Sequence, residues 1–342
     1  MNRILVVNVN WLGDVIFSSP IFKALKASYP QAKISCLAVP RVKEILESIP
    51  EIDEIIIYDE KGKHWNPLAK FFLIAQLRRQ KFDVAFLLHG SWTRALLVFL
   101  AGIPQRVGYD RKGRGIFLTH HVNPLKGPIH RRDFYLNVIE SFGIKVTDRR
   151  TALAVDPEAQ EGIQITLQRK GIKPEDFCVV IHPGANWNLK RWPLENFALF
   201  AQQLLESGCK VVMAGSSQDE PLVRDMIHHP SMKGLRPVVL TGQTDLKQLI
   251  ALMKRADVVV SSDSGPLHIA NNVGSKVVGI FGPTRPEVTG PCGSGRVTVL
   301  QKAVGCNREP CYYLSCPDNI CMQTVTVHEV MNEIAKIRFA QH

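Results

Sequence analysis

Nowhere in the sequence does an apolar run approach the ~18 uninterrupted residues of a membrane-spanning helix, so an α-helical span is excluded. The N-terminus lacks the small-residue cleavage site of a secretory signal: Met1-Asn2-Arg3-Ile4-Leu5-Val6-Val7 leads straight into an apolar, strand-like run. The expectation is a cytoplasmic protein. The first strand-to-helix loop lacks Gly-x-Gly-x-x-Gly, which argues against a nicotinamide dehydrogenase. There is no internal repeat and no low-complexity tract. Acidic residues are in short supply, with 31 Asp and Glu against 42 Lys and Arg and a formal net charge of +11. That balance favours anionic partners without choosing among nucleic acid, anionic lipid and phosphorylated small molecules. The eight cysteines include no paired Cys-x-x-Cys knuckle. In a cytosolic chain they should be reduced thiols unless a metal holds them.

What the chain does have is length and alternation. Its 342 residues suit two domains, and 45% hydrophobic with 21% charged residues is an ordinary globular composition. Short apolar runs at 4–9, 34–39, 52–58 and 84–88 are separated by amphipathic stretches such as 21–29 and 68–79. Continuous apolar strands are buried on both faces, which means a parallel sheet covered by helices. The pattern restarts after a polar, helical stretch at 156–176, with strands expected at 178–181, 210–213, 238–240, 258–260 and 277–280. The fold class is therefore α/β, with two Rossmann-like sheets in tandem and their chemistry at the carboxyl ends of the strands, in a cleft between facing domains. The expected division is 1–155, 156–326, and a terminal helix within 327–342 that packs back on the N-terminal domain.

Three loops carry candidate chemistry. Asn10-Trp11-Leu12-Gly13-Asp14 follows the first strand, and Asp14 reads either as the cap of the next helix or as a general base. In the second half, 182–193 begins His182-Pro183-Gly184-Ala185-Asn186 and ends Lys190-Arg191-Trp192-Pro193. Pro193 fits the first helical position. Lys190 and Arg191 read either as two cations for a diphosphate or as incidental charge. The most specific segment is Ser261-Ser262-Asp263-Ser264-Gly265-Pro266-Leu267-His268. Ser264 suits a helix cap, the first-turn N–H groups suit an anion, and Asp263 suits sugar hydroxyls. His268 lies one turn into that helix, as a structural residue or on a phosphate-facing side. Phe281-Gly282-Pro283-Thr284 ends another strand at the same rim. The loops 214–219 and 241–245 read first as turn and cap chemistry.

Two further features stay open. Between Arg106 and Arg132 stand Arg106, Arg111, Lys112, Arg114, Lys126, Arg131 and Arg132, with Asp110 the only acid. This stretch is either a solvated loop or a docking surface for an acidic acceptor or the cytoplasmic leaflet. Nucleic acid is disfavoured, because Tyr109 and Phe117 are not interleaved as stacking platforms. Cys306, Cys311, Cys316 and Cys321 recur every five residues, as packed thiols, a zinc site or a redox device.

Taken together, these motifs resemble the ADP-heptose:lipopolysaccharide heptosyltransferases, glycosyltransferase family 9, over essentially the whole chain. The resemblance rests on Asn10-Trp11-Leu12-Gly13-Asp14, on His182-Pro183-Gly184 with Lys190-Arg191-Trp192-Pro193, and on Asp263-Ser264-Gly265-Pro266-Leu267-His268 followed by Phe281-Gly282-Pro283-Thr284. The tryptophan before Leu-Gly-Asp and the C-terminal cysteines look like the heptosyltransferase II branch. The family implies a GT-B fold with the acceptor in the N-terminal domain and ADP-heptose in the C-terminal domain. It implies an inverting transfer to the lipopolysaccharide inner core with no essential metal and no cofactor. Asp14 would be the base and Lys190 would hold the diphosphate. Asp263 would hold heptose hydroxyls, and Ser264, Gly265 and His268 would line the phosphate rim. Asn186, Arg191, Pro266 and Thr284 complete the expected donor site, and Asn10, Trp11, Arg111 and Arg114 the acceptor site. Asn186 stands where family members often carry a small hydroxyl residue, and Ser217 near a position where some carry an acid for the ribose. A peripheral contact with the cytoplasmic face of the inner membrane is also expected. The alternatives are another nucleotide-sugar donor, an epimerase of the same shape, and a non-catalytic polyanion-binding protein. The last leaves Asp14 and Asp263 without work.

Overall fold

The computed structural model describes residues 1–111, 113–306, 308, 310–311 and 316–340. The chain divides into two compact units, Met1–Ala154 and the residues from Val155 onward.

In the first unit β1 (Arg3–Val7), β2 (Lys33–Ala38), β3 (Glu54–Ile57), β4 (Val84–Leu87), β5 (Gln105–Tyr109) and β6 (His120–Val122) form one parallel sheet in the order β3-β2-β1-β4-β5-β6. β1 and β4 are apolar and buried because helices cover both faces. β5 and β6 went unread in the sequence: Gln105-Arg106-Val107-Gly108-Tyr109 and His120-His121-Val122 lie at the sheet's far side, where polar residues are tolerated and the apolar signature weakens. The stretch expected as a basic loop thus begins with two strands.

In the second unit β7 (Cys178–His182), β8 (Lys210–Met213), β9 (Val238–Val239), β10 (Val258–Ser262), β11 (Lys276–Ile280) and β12 (Val297–Leu300) form the order β12-β11-β10-β7-β8-β9, again all parallel. Counted from its own first strand, each sheet has the doubly wound order 3-2-1-4-5-6. Each therefore has a switch point, between β1 and β4 in one unit and between β7 and β10 in the other. Loops leaving the carboxyl ends of those strands diverge there and leave a crevice.

The terminal helix Val327–Phe339 opens with a capping box, in which Thr326 and Glu329 satisfy each other's backbone N–H groups. Val327, Val330, Ile334 and Ile337 bury among Phe197, Phe200 and Leu204 of the helix Leu194–Glu206, so this helix is part of the second unit's core. Trp192 fixes the segment before it by donating from Nε1 to the Val325 carbonyl at 2.8 Å. If that packing is structural, Ile334→Ala should cost about 2–4 kcal/mol through lost burial and the cavity left behind. Urea denaturation of the full chain would measure it, and a change below about 0.5 kcal/mol would mean the helix does not hold the core.

Candidate functional site

Each switch point carries a polar cluster. In the first unit the helix Leu12–Ser18 starts with Trp11 as its N-cap, so Asp14 lies within the first turn and is not the cap. Its Oδ1 instead accepts from Tyr135 Oη at 2.8 Å and from Arg131 Nε at 3.2 Å, while Arg131 Nη2 donates to Tyr135 Oη at 2.5 Å. Arg131 and Tyr135 are four residues apart on the helix Arg131–Glu140, which puts them on one face. Burial, and then the Asp14 charge, holds the Tyr135 phenol well above its usual range, so it stays a neutral donor. Oδ2 takes no hydrogen bond among the described residues. Neither partner of Asp14 was foreseen, because a contact across more than a hundred residues leaves no local pattern.

A cavity of about 220 Å³ opens beside Asp14, lined by Asn10, Trp11, His89, Arg111, Phe134 and Tyr135 among others. Asn10 Nδ2 lies 3.3 Å from His89 Nε2, and exposed Trp11 carries the Arg41 guanidinium 4.1 Å above its ring. Arg41 also donates to the Asn10 carbonyl at 2.7 Å, a rim cation that sequence reasoning missed. Arg111 lies over the Phe134 ring at 4.9 Å.

Arg114, expected at the acceptor site, is among the residues lining this cavity. It is 1% exposed and donates to the carbonyls of Tyr109 and His89, so it supports the cavity wall. Burial pushes its pKa down to about 10. Arg106 donates to the Phe117 and Ile103 carbonyls, and Arg132 pairs with Asp133. The stretch is thus largely engaged in the unit's own structure. Lys112 lies outside the described residues.

In the second unit three expected ligand residues converge on one carboxylate. Asp263 Oδ2 accepts from Lys190 Nζ at 2.6 Å and Thr284 Oγ1 at 2.7 Å, with Thr289 Oγ1 at 3.4 Å. His268 Nε2 lies 3.5 Å from Oδ1. Burial alone would raise the Asp263 pKa, but His268 and Lys190 outweigh it and hold the carboxyl well below the usual range. His268 is buried behind this carboxylate and does not line an exposed rim.

Arg191, expected beside Lys190 at the donor site, is engaged within its own loop. Its Nε and Nη2 both donate to the Ala185 carbonyl, at 3.2 and 3.1 Å, so its fork staples the loop. Asn186 is exposed on that loop. Pro193 is the N-cap of Leu194–Glu206, one position before the expected one.

Ser264 occupies the N-cap of the helix Gly265–Asn272, but its hydroxyl makes no cap bond. It turns to Ser261 Oγ at 2.8 Å and to His182 Nδ1 at 3.3 Å. The first-turn N–H groups at Gly265 and beyond Pro266 thus lack a side-chain cap, the arrangement that receives anions at helix starts. Asp219, in the loop after β8, closes a capping box with Ser216, lies 3.8 Å from His182 Nε2, and has its pKa lowered to about 2. Burial opposes that shift, and the interactions with His182 and Ser216 together outweigh it. Asp245 closes a second box with Gln248. In the cysteine row, burial pushes the Cys321 thiol up and Asn319 N–H donates to Cys316 Sγ at 3.4 Å. No group of three or more His, Cys, Asp or Glu able to hold a metal occurs among the described residues.

Two units of Rossmann order, each with a charged cluster at its switch point, match the GT-B fold. Residues 71–314 match glycosyltransferase family 9 (heptosyltransferase), and the chain belongs to that family. It is 29% identical over 312 residues to lipooligosaccharide heptosyltransferase 2 of Haemophilus influenzae, covering 89% of each chain. The crystal structure of the family 9 glycosyl transferase of Veillonella parvula is similar with a TM-score of 0.84 and 25% identity, over 98% of this chain and 97% of that one. E. coli ADP-heptose lps heptosyltransferase II shares the fold with a TM-score of 0.81 at 24% identity, over 99% of both chains.

The buried ion pair sets a pH expectation. Asp263 has a depressed folded pKa, so its stabilisation is complete above the unfolded carboxylate value of ~4 and is lost as pH falls below it. Asp263→Asn should lower stability at pH 7 by on the order of 3 kcal/mol. The gap to the wild type should shrink steadily below pH ~4. A gap that stays constant from pH 7 to pH 3 would show that the carboxylate charge is not what stabilises the cluster.

Proposed function

We propose that this chain transfers heptose from ADP-L-glycero-D-manno-heptose to the inner core of lipopolysaccharide, with inversion at the anomeric carbon. The observation that carries the proposal is Asp14, held on Oδ1 by Tyr135 and Arg131 beside a cationic cavity. A carboxylate with one oxygen fixed and the other free of donors among the described residues is suited to take a proton from an acceptor hydroxyl. That hydroxyl oxygen attacks the anomeric carbon, the bond from that carbon to the ADP oxygen breaks, and ADP leaves with the electron pair. Arg111 and Arg131 suit anionic groups on the acceptor.

In the second unit Lys190 is the cation for the departing diphosphate, with the uncapped start of Gly265–Asn272 as further anion donor. Asp263 holds Lys190 by a hydrogen bond of 2.6 Å. Binding a diphosphate exchanges one anion for another, so Asp263 positions the lysine more than it grips sugar hydroxyls. The partners this reading implies are ADP-heptose, an acidic core acceptor and a peripheral contact with the cytoplasmic face of the inner membrane. A surface for polyanions alone leaves the bonds between Asp14, Arg131 and Tyr135 without a purpose.

With ADP-heptose and a core acceptor, Asp14→Ala and Lys190→Ala should each lower turnover at least ~100-fold. Tyr135→Phe, which removes one hydrogen bond, should lose about tenfold. Near-normal turnover of Asp14→Ala would remove it as the base.

A further inference from the structure

The first unit carries an apolar face that neither cluster uses. The helix Pro67–Arg79 is capped by Asn66, whose side chain accepts from Ala69 N–H at 2.8 Å. It buries Leu73 and Leu77 in the core. On its outer side Leu68 is 65% exposed, Phe71 62% and Phe72 63%, and Trp65 just before it is 69% exposed. Positions 68, 71 and 72 recur at helical spacing and share one face. Single exposed apolar side chains are ordinary, but four bulky ones within eight residues are not.

Charge defines what covers that face. Lys61, Lys63, Lys70, Arg78, Arg79 and Lys81 flank it, and no acid lies between Glu60 and Asp83. No ion pair engages any of the six among the described residues. Aromatic and leucine side chains beside lysines and arginines are the makeup of a helix lying in the plane of an anionic bilayer, with rings among the acyl chains and cations at the head groups. A two-fold contact with a second copy would set these cations against themselves, since such an interface repeats the same patch on both sides.

We propose that Pro67–Arg79, with Trp65, docks this protein on an anionic membrane surface. The inference deepens the proposed function by naming the element that makes the membrane contact, and rests on it only for the purpose that docking serves. It moves that contact from 106–132, whose cations are largely engaged, to 61–81.

Flotation with phosphatidylcholine vesicles containing roughly 30% phosphatidylglycerol, against phosphatidylcholine alone, tests it. The wild type should bind the anionic vesicles in a salt-sensitive way and leave the neutral ones. Phe71→Ser with Phe72→Ser should weaken binding at least about tenfold, and Lys63→Gln with Arg79→Gln about fivefold per charge. Both variants change exposed groups, so their melting temperatures and their transfer to a lipid-free acceptor oligosaccharide should match the wild type. Vesicle binding that depends on Phe71 and Phe72 supports docking even where no heptose transfer is seen, an outcome that would strike the proposed reaction instead. Wild type that ignores anionic vesicles, a phenylalanine variant that binds as well as wild type, or self-association that this variant disperses would each overturn it.

Discussion

The buried carboxylate of Asp263 is the constraint around which the second unit's polar end is arranged. An isolated charge in that position would cost several kcal/mol, so the chain must bring compensating groups to it. It does so from three places: Lys190 from the loop after β7, His268 from the helix after β10, and Thr284 from the segment after β11. The ends of three neighbouring strands are thereby tied to one point. The same interaction holds the Lys190 ammonium at 2.6 Å from the carboxylate, and on the proposed reading a diphosphate would take the carboxylate's place as its partner. Asp14 follows a related logic in the first unit, where Arg131 and Tyr135 fix one of its oxygens.

Much of the architecture was legible because buried parallel strands write themselves as short apolar runs. β1, β4, β7 and β10, the four strands that flank the two switch points, were all readable for that reason. β5, β6 and β12 were not. Gln105-Arg106 and His120-His121 carry polar side chains at the sheet's far side, and β12 alternates exposed with half-buried positions. Register and strand order come from pairing across long stretches of chain, which no local pattern encodes.

The site was legible by residue type but not by role. Asp14, Lys190, Asp263, His268 and Thr284 stood out as polar residues at strand ends, and the structure joins the last four. What spacing could not show was which groups would be used up internally. Arg191 folds onto the Ala185 carbonyl and Arg114 onto those of Tyr109 and His89, so neither is the free cation that its charge suggested. Ser264 has the position of a cap but spends its hydroxyl on Ser261 and His182. Arg41, Tyr135 and Thr289 escaped notice because each reaches its partner from a distant segment.

Membership of glycosyltransferase family 9 gives the chain its class, and the exchange at Lys190 gives the account its central claim. Calorimetric titration of the full chain with ADP, UDP and GDP, with and without EDTA, tests that claim most directly. The account predicts micromolar binding of ADP alone, unchanged by EDTA and lost in Lys190→Ala. Preference for UDP or GDP, or ADP binding that survives loss of the Lys190 ammonium, would contradict it.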